Sequence, residues 1–434
     1  MLTDNRVAAR GCAISVLAMK LLERRRDNFM WTHASQGSSR IFLALVLASV
    51  LVSSPAVARA QGEESYEAKR ERATLLLESG KFLEALPMFE KLSAEKPNDA
   101  EVIFGLGFSL FVKAQGEKDA DVRKQGRAHA RTVLVRAKEL GYKRALLDAM
   151  LESLKPDGEA TESFSKIEEA DRAMHEGEAA YIGGDLDQAL AHYQRALQLD
   201  PQLYLAALFA GDMYNKNGQP ERADEWFAKA IKIDPNRETA YRYWGIGLMR
   251  RNKTIEARDK FIDAYISSPS DKLAVNGLVE WADHSGITLA HPVVTIPTGV
   301  SPMENGKITI TVDPKASSSW MIYGITRAAW TVNANAKFYA AHPDEKTYRH
   351  SLREEAEALR RVAEAASGDL KSGKTKSLDS SLANLVKINE AGLLEAYILL
   401  ARADEGIAKD YYGYLKTDRE KLRRYVLEIV MSGK

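Results

Sequence analysis

Three patterns of apolar positions divide this chain. Between Ala170 and Asp271, small and aromatic residues return every 34 positions. Gly177, Gly211 and Gly245 form one column, Ala189, Ala223 and Ala257 a second, and Tyr193, Phe227 and Phe261 a third. Ala196, Ala230 and Ala264 make a fourth, and Pro201, Pro235 and Pro269 a fifth. Columns repeating at one period exclude coincidence and mark consecutive units at residues 170–203, 204–237 and 238–271. Each unit predicts two antiparallel helices of about twelve residues. Turn signals separate them at Gly183 to Asp185 and at Asn217 to Pro220. The glycine and the alanines remove side chains where the helices approach, and the aromatic fills the gap between one pair and the next. The proline follows the second helix, where it cannot continue the ladder.

The second pattern is an unbroken run, "IFLALVLASVLV" from Ile41 to Val52, with Arg40 before it and Pro55, Ala58 and Ala60 after it. A helix of that length reaches about 18 Å, well short of the roughly 30 Å of a bilayer core. The run therefore predicts a secretory signal cleaved after Ala60, leaving a soluble chain that begins at Gln61. The charged preface before Met30 suggests translation from that methionine. The third pattern alternates: Ile308, Ile310 and Val312 against Thr309 and Thr311, after an Asn305-Gly306 turn signal. It predicts a small β-hairpin, which two strands can hold only by lying on neighbouring helices.

The 34-residue columns resemble the tetratricopeptide repeat family over residues 170–271. A degenerate copy occupies residues 66–99, with Gly80, Ala85, Phe89 and Pro97 in register but Arg72 and Ala73 in place of a bulky residue and glycine. Another begins at Ala100, where Leu106 and Gly107 fit. "AQGEKDADVRKQGRA" reads there as a lengthened turn before a second helix at Arg131 to Leu140. Residues 271–286 read as a capping helix. From Ser319 the chain is helical again and resembles no family, although Trp320, Tyr323 and Gly324 occupy first-helix columns. Pro343, followed by acids, reads as a helix start, "SGDLKSGKTKS" as a loop, and Thr417 as the point after which the last helix begins.

The expected fold is mainly α: a solenoid of tetratricopeptide-type hairpins with a small β-hairpin and an all-helical C-terminal region. Expected segments are residues 1–60 (extension and signal), 61–169 (degenerate repeats), 170–286 (repeats and cap), 287–316 (hairpin linker) and 317–434 (C-terminal helices).

Composition narrows the function. Residues 1–60 hold eight basic and three acidic side chains, so the chain from Gln61 carries −4 against +1 for the whole. Such a chain lacks the basic field that nucleic acid demands. Its single cysteine, Cys12, lies in the discarded part and follows no pattern of metal or disulfide chemistry. No serine elbow, phosphate loop or paired-carboxylate motif appears, so neither enzyme activity nor a cofactor is expected. His350 and Glu354 share a helical spacing that reads as a solvated face rather than half of a metal site, and His284 and His291 read as capping or surface groups. Trp320, Tyr323 and Trp330 read as core before they read as a sugar platform.

The resemblance implies a concave groove lined by the second, fifth, ninth and twelfth positions of each first helix. These are Asp171, Met174, Glu178 and Tyr181, then Leu205, Leu208, Asp212 and Asn215, then Thr239, Arg242, Ile246 and Met249. The carboxylate clamp of chaperone-binding members is absent, because its lysine and asparagine columns hold other residues. The expected function is an exported, periplasmic or secreted scaffold that holds a protein or peptide partner in this groove. The alternative places a cell-wall polymer, a glycan or an unrecognised envelope activity on the C-terminal helices. A third reading has the array self-associate.

Overall fold

The computed structural model describes residues 64–117, 119–159, 163–182, 184–301 and 307–431. The signal, the Met30 start, Cys12 and the Asn305-Gly306 turn lie outside them. The chain is mainly helical, with one two-stranded antiparallel sheet among the described residues. It divides into two compact units between Arg222 and Ala223.

The first unit begins with α1 (Tyr66–Glu78) and α2 (Phe82–Glu95), then α3 (Ala100–Gln115), α4 (Ala120–Glu139) and the short α5 (Ala145–Ser153). The periodic array follows as α6 (Glu168–Ile182), α7 (Leu186–Leu199) and α8 (Tyr204–Lys216), with α9 (Pro220–Ile233) running across the division. Ala189, Tyr193 and Ala196 are 0–2% exposed, as their columns require. The glycine column works differently from the expected close backbone approach. A Cβ on Gly177 would lie 2.6 Å from the Tyr193 ring, so the glycine opens a slot for the aromatic of its own unit. The same ring then meets Phe209 of the following helix edge-on, 5.4 Å between centroids.

Four hairpins turn through a residue with positive φ at one register position: Gly80, Gly184 and Gly218 here, Asn252 in the second unit. Asparagine is the side chain that best tolerates this conformation after glycine. The reading of a lengthened turn after Ala114 is corrected. Asp119 accepts from the amides of Asp121 and Val122, which starts α4 at once and gives it 20 residues. Gly126 lets α4 pass close to Ala114 of α3. From α4, Arg127 Nε donates to the Gly158 carbonyl (2.7 Å) and Arg131 Nε to the Leu154 carbonyl (2.8 Å), fixing the segment after α5.

The second unit contains α10 (Glu238–Arg250), α11 (Thr254–Ser267) and α12 (Lys272–His284), then β1 (Thr298–Val300) and β2 (Ile310–Val312). The strands pair as Thr298↔Val312, Gly299↔Thr311 and Val300↔Ile310. They lie on α13 (Ser319–Val332), where Gly324 leaves room for Ile310 and Thr298, and Thr298 Oγ1 donates to the Trp320 carbonyl (2.9 Å). Then come α14 (Phe338–Ala341), α15 (Leu352–Lys371), α16 (Ser380–Glu390) and α17 (Leu394–Tyr397), which widens into a π-helical turn at Ile398–Arg402. The chain closes with α18 (Glu405–Ala408) and α19 (Tyr411–Tyr425), followed by a second π turn at Val426–Val430.

Several C-terminal boundaries differ from expectation. Pro343 starts no helix: residues 343–351 are irregular, and Ser351 caps α15 instead by accepting from the Glu354 amide. The acids that fill the first turn are therefore Glu354 and Glu355, not Asp344 and Glu345. α15 continues through "SGDLK", shortening the polar loop, and α19 starts before Thr417 with a kink at Asp418 (φ −131°, ψ 31°). One apolar core joins Phe261, Trp281, Trp320, Leu359, Tyr397 and Tyr425. Trp320, Tyr323 and Trp330 are 1–6% exposed and belong to the interior, as expected.

Candidate functional site

All twelve expected groove residues are buried or half-buried. In the first unit Met174 and Leu208 are 0% and 1% exposed, while Glu178, Leu205 and Asp212 are also buried. Asp212 pairs with Lys216, whose ammonium stands 5.1 Å over the Tyr181 ring. Asp171 accepts from the Phe164 and Ser165 amides and lies 3.5 Å from His175. Burial raises the Asp171 pKa, but His175 and the two amides more than offset it and hold the carboxyl below its usual range. Asp171 thus secures the segment ahead of α6. Tyr181 and Asn215 remain half-open.

In the second unit Arg242 pairs with Glu238 at 2.9 Å, both buried, and Thr239 Oγ1 donates to the same Glu238. Ile246 and Met249 pack against the unit's apolar core. On this last repeat the expected lining is partly covered by the chain itself.

An open cleft of about 360 Å³ lies elsewhere, on α1 and the start of α3. Its walls include Glu67, Arg70 and Thr74, the second, fifth and ninth positions of the degenerate copy, together with Glu101, the second position of the next. Glu71 and Glu78 add acid, and Leu75, 57% exposed, adds an apolar contact. Arg70 is engaged by Glu101 and by Asp99 (3.5 Å), and Glu67 by Lys96 (3.2 Å). The sequence reading did not assign these residues a site, although the same columns applied to residues 66–99 would have found them.

The second unit also holds a buried charge cluster. Glu354 and Glu355 are 0% and 1% exposed. Arg327 of α13 reaches Glu354 through Nε (2.5 Å) and Glu355 through Nη1 (3.3 Å). Tyr348 donates to Glu354 (2.7 Å) and Tyr323 to Glu355 (2.8 Å). His350 faces Glu355 from Nε2 (3.2 Å) and Asp404 from Nδ1 (2.5 Å), while Arg402 Nε stands 3.3 Å from Glu355. Two ring nitrogens that each meet a carboxylate favour the doubly protonated, cationic form of His350. Burial lowers the His350 pKa, yet the hydrogen bond to Glu355, with that carboxylate's charge and the bond to Asp404, more than offsets it and leaves it raised. The reading of His350 and Glu354 as a solvated face is corrected: His350 precedes α15, and Glu354 points into the interior. His291 also departs from the surface reading. It stacks on Tyr425 with Nδ1 2.8 Å from the phenol oxygen, and burial lowers its pKa. His284 ends α12, as a last-turn base should.

Among the described residues no group of three or more His, Cys, Asp or Glu side chains is placed to hold a metal ion. No helix among them is long and apolar enough to cross a membrane.

Comparison with known proteins matches residues 180–243 to the tetratricopeptide repeat family. Among solved structures, the chain is similar to YrrB, described as a TPR protein with an unusual peptide-binding site: 17% identity, 49% of this chain and 91% of that one, TM-score 0.25. It is similar to the Arabidopsis OM64 TPR domain at 22% identity, over 28% of this chain and 99% of that one, TM-score 0.26. The first TPR of Spaghetti (RPAP3), solved with an HSP90 peptide, gives 17% identity over 28% and 98%, TM-score 0.26. The match falls within the periodic array, so residues 180–243 are tetratricopeptide repeat, and the same columns continue on both sides of them.

Proposed function

We propose that this protein is an exported interaction scaffold whose first unit holds a segment of a partner protein in the concave groove. The open cleft on α1 and α3 carries the proposal, because it lies on the groove columns and is open among the described residues. Four of its lining side chains are glutamates against one arginine that is already paired, and Leu75 stands exposed among them. A peptide segment with basic residues flanking an apolar one is the complement, its cations meeting Glu71 and competing with Lys96 and Arg70 for Glu67 and Glu101, and its apolar residue meeting Leu75. The half-open Tyr181 and Asn215 are the later groove positions within the same unit that remain for contact.

Fluorescence polarisation with labelled peptides of matched length and varied charge tests this on the full chain. Basic peptides with one central apolar residue should bind, with affinity falling as salt rises. Glu71→Lys with Glu101→Lys should abolish that preference. Equal binding of acidic and basic peptides, or no effect of the reversals, sinks the proposal. Export rests on the apolar run at Ile41 to Val52. N-terminal sequencing of the exported protein should begin at Gln61, and retention of the full precursor inside the cell refutes export.

A further inference from the structure

We propose that the second unit carries a binding site, separate from the groove, for a small amphiphilic anion: a carboxylate or phosphate head on a short apolar body. The site is a cleft of about 560 Å³ between α14, the start of α15 and the start of α19, a size within the range of small-molecule sites. Ala341, Leu352, Ala356 and Gly413 give it an apolar lining, and Tyr414 closes one side.

Charge sets the sign of the ligand. Four cationic side chains line the cleft, Arg349, Arg353, Arg360 and Lys409, against the carboxylates of Glu345, Glu395 and Asp410. Arg349 is held between Glu345 (2.7 Å) and Asp410 (2.5 Å), and Arg360 is paired with Glu395. Every carboxylate in the cleft is thereby committed. Arg353 and Lys409 are exposed and have no acidic partner among the described residues. An anion entering the cleft meets two free cations and no free acid.

The walls supply a second, independent observation. The Tyr414 hydroxyl and His342 Nε2 are closed to solvent and have no hydrogen-bond partner among the described residues. A buried polar group left in that state destabilises the fold. Both belong to residues that line this cleft. Neither atom is open to solvent, so a head-group oxygen reaches it only when a lining side chain shifts. The ligand then has two cations to neutralise its charge, one or two orphaned groups to satisfy, and an apolar lining for its body.

Isothermal titration of the full chain with decanoate, decyl phosphate, inorganic phosphate and decyltrimethylammonium tests this. One or both amphiphilic anions should bind with one-to-one stoichiometry. Inorganic phosphate should bind at least about tenfold more weakly, because it lacks the apolar body. Preference for decanoate or for decyl phosphate identifies the source of the head group, and either sustains the proposal. Arg353→Glu with Lys409→Glu should weaken the anions at least about tenfold while leaving the melting temperature unchanged, since both side chains are exposed. Tyr414→Phe should raise the melting temperature of the ligand-free protein by about 2 °C and weaken binding severalfold. The proposal is overturned if neither anion gives heat up to about 1 mM, if the amphiphilic cation binds as well as the anions, or if the charge reversals leave affinity unchanged. A lower melting temperature for Tyr414→Phe also overturns it, because the hydroxyl would then have a partner.

Discussion

Replacing Arg327 with methionine should cost the second unit more stability than any surface substitution. The guanidinium touches Glu354 at 2.5 Å and Glu355 at 3.3 Å, and neither glutamate is more than 1% exposed. Burial opposes the arginine's charge, and the electrostatic pull of Tyr323 and the two glutamates more than offsets that, so its pKa is raised. Methionine fills similar volume but leaves Glu354 with Tyr348 as its remaining side-chain hydrogen-bond partner. Glu355 keeps His350 and Arg402. Removing one partner of a buried pair costs about 3–5 kcal/mol. The retained partners of Glu355 place this case in the lower half, about 3–4 kcal/mol. For a unit of this size that lowers the melting temperature by about 6–16 °C. Urea and thermal melts followed by far-UV circular dichroism and by tryptophan emission measure it, with Trp320 and Trp330 reporting from the same helix. Arg327→Met with Glu354→Gln should recover about half of the loss, since the stranded charge is gone. Arg353→Met, exposed on α15, should stay within about 0.5 kcal/mol of the parent. A loss below about 1 kcal/mol for Arg327→Met would refute the claim that this cluster is a buried, mutually dependent charge set.

His350 should make stability fall on the alkaline side. Its raised pKa means its contribution is complete below the unfolded value of about 6.5 and is lost as pH rises through the folded value, whereas Glu355 and Asp404, whose pKa values are lowered, lose theirs as pH falls. His350→Gln should flatten the alkaline limb in urea melts taken from pH 5 to 9, and an unchanged limb counts against the assignment. Gly177→Ala should cost about 1–3 kcal/mol, because the new Cβ lies 2.6 Å from the Tyr193 ring, and Tyr193→Leu should relieve part of that cost in the double variant. Wild-type stability for Gly177→Ala would show that the ring has room to move. Gly324→Ala should drive the two strands off α13, read as faster proteolysis within residues 298–312 at little change in overall helicity.

The repeats were legible because their contacts are local: Gly177 and Tyr193, or Gly245 and Phe261, lie within one hairpin, so one period records both partners. The β-hairpin was legible from its alternation, and the aromatic interior of α13 from its spacing. The charge cluster was not. Its members lie on α13, on the irregular segment before α15, on α15 itself and near residue 404, and no local pattern ties Arg327 to Glu354 or His350 to Asp404. The start of α15 was misplaced because Pro343 followed by acids and Ser351 followed by Glu354 are both sound helix openings. Tertiary pairing of Arg349 with Asp410 accompanies the second. Burial of the groove columns was likewise invisible, since a first-helix position faces the hollow whether or not another part of the chain fills it.

Phe261 occupies a slot between two glycines: a Cβ would stand 2.9 Å from its ring at Gly245 and 2.8 Å at Gly277. The three positions are therefore bound together in descent. Neither glycine can gain a side chain while the ring remains, and shrinking the ring first opens a cavity in a core that Leu248, Trp281 and the C-terminal helices share. A lineage can leave this arrangement only through a weakened intermediate, so in related chains these residues should be found changed as a set or not at all.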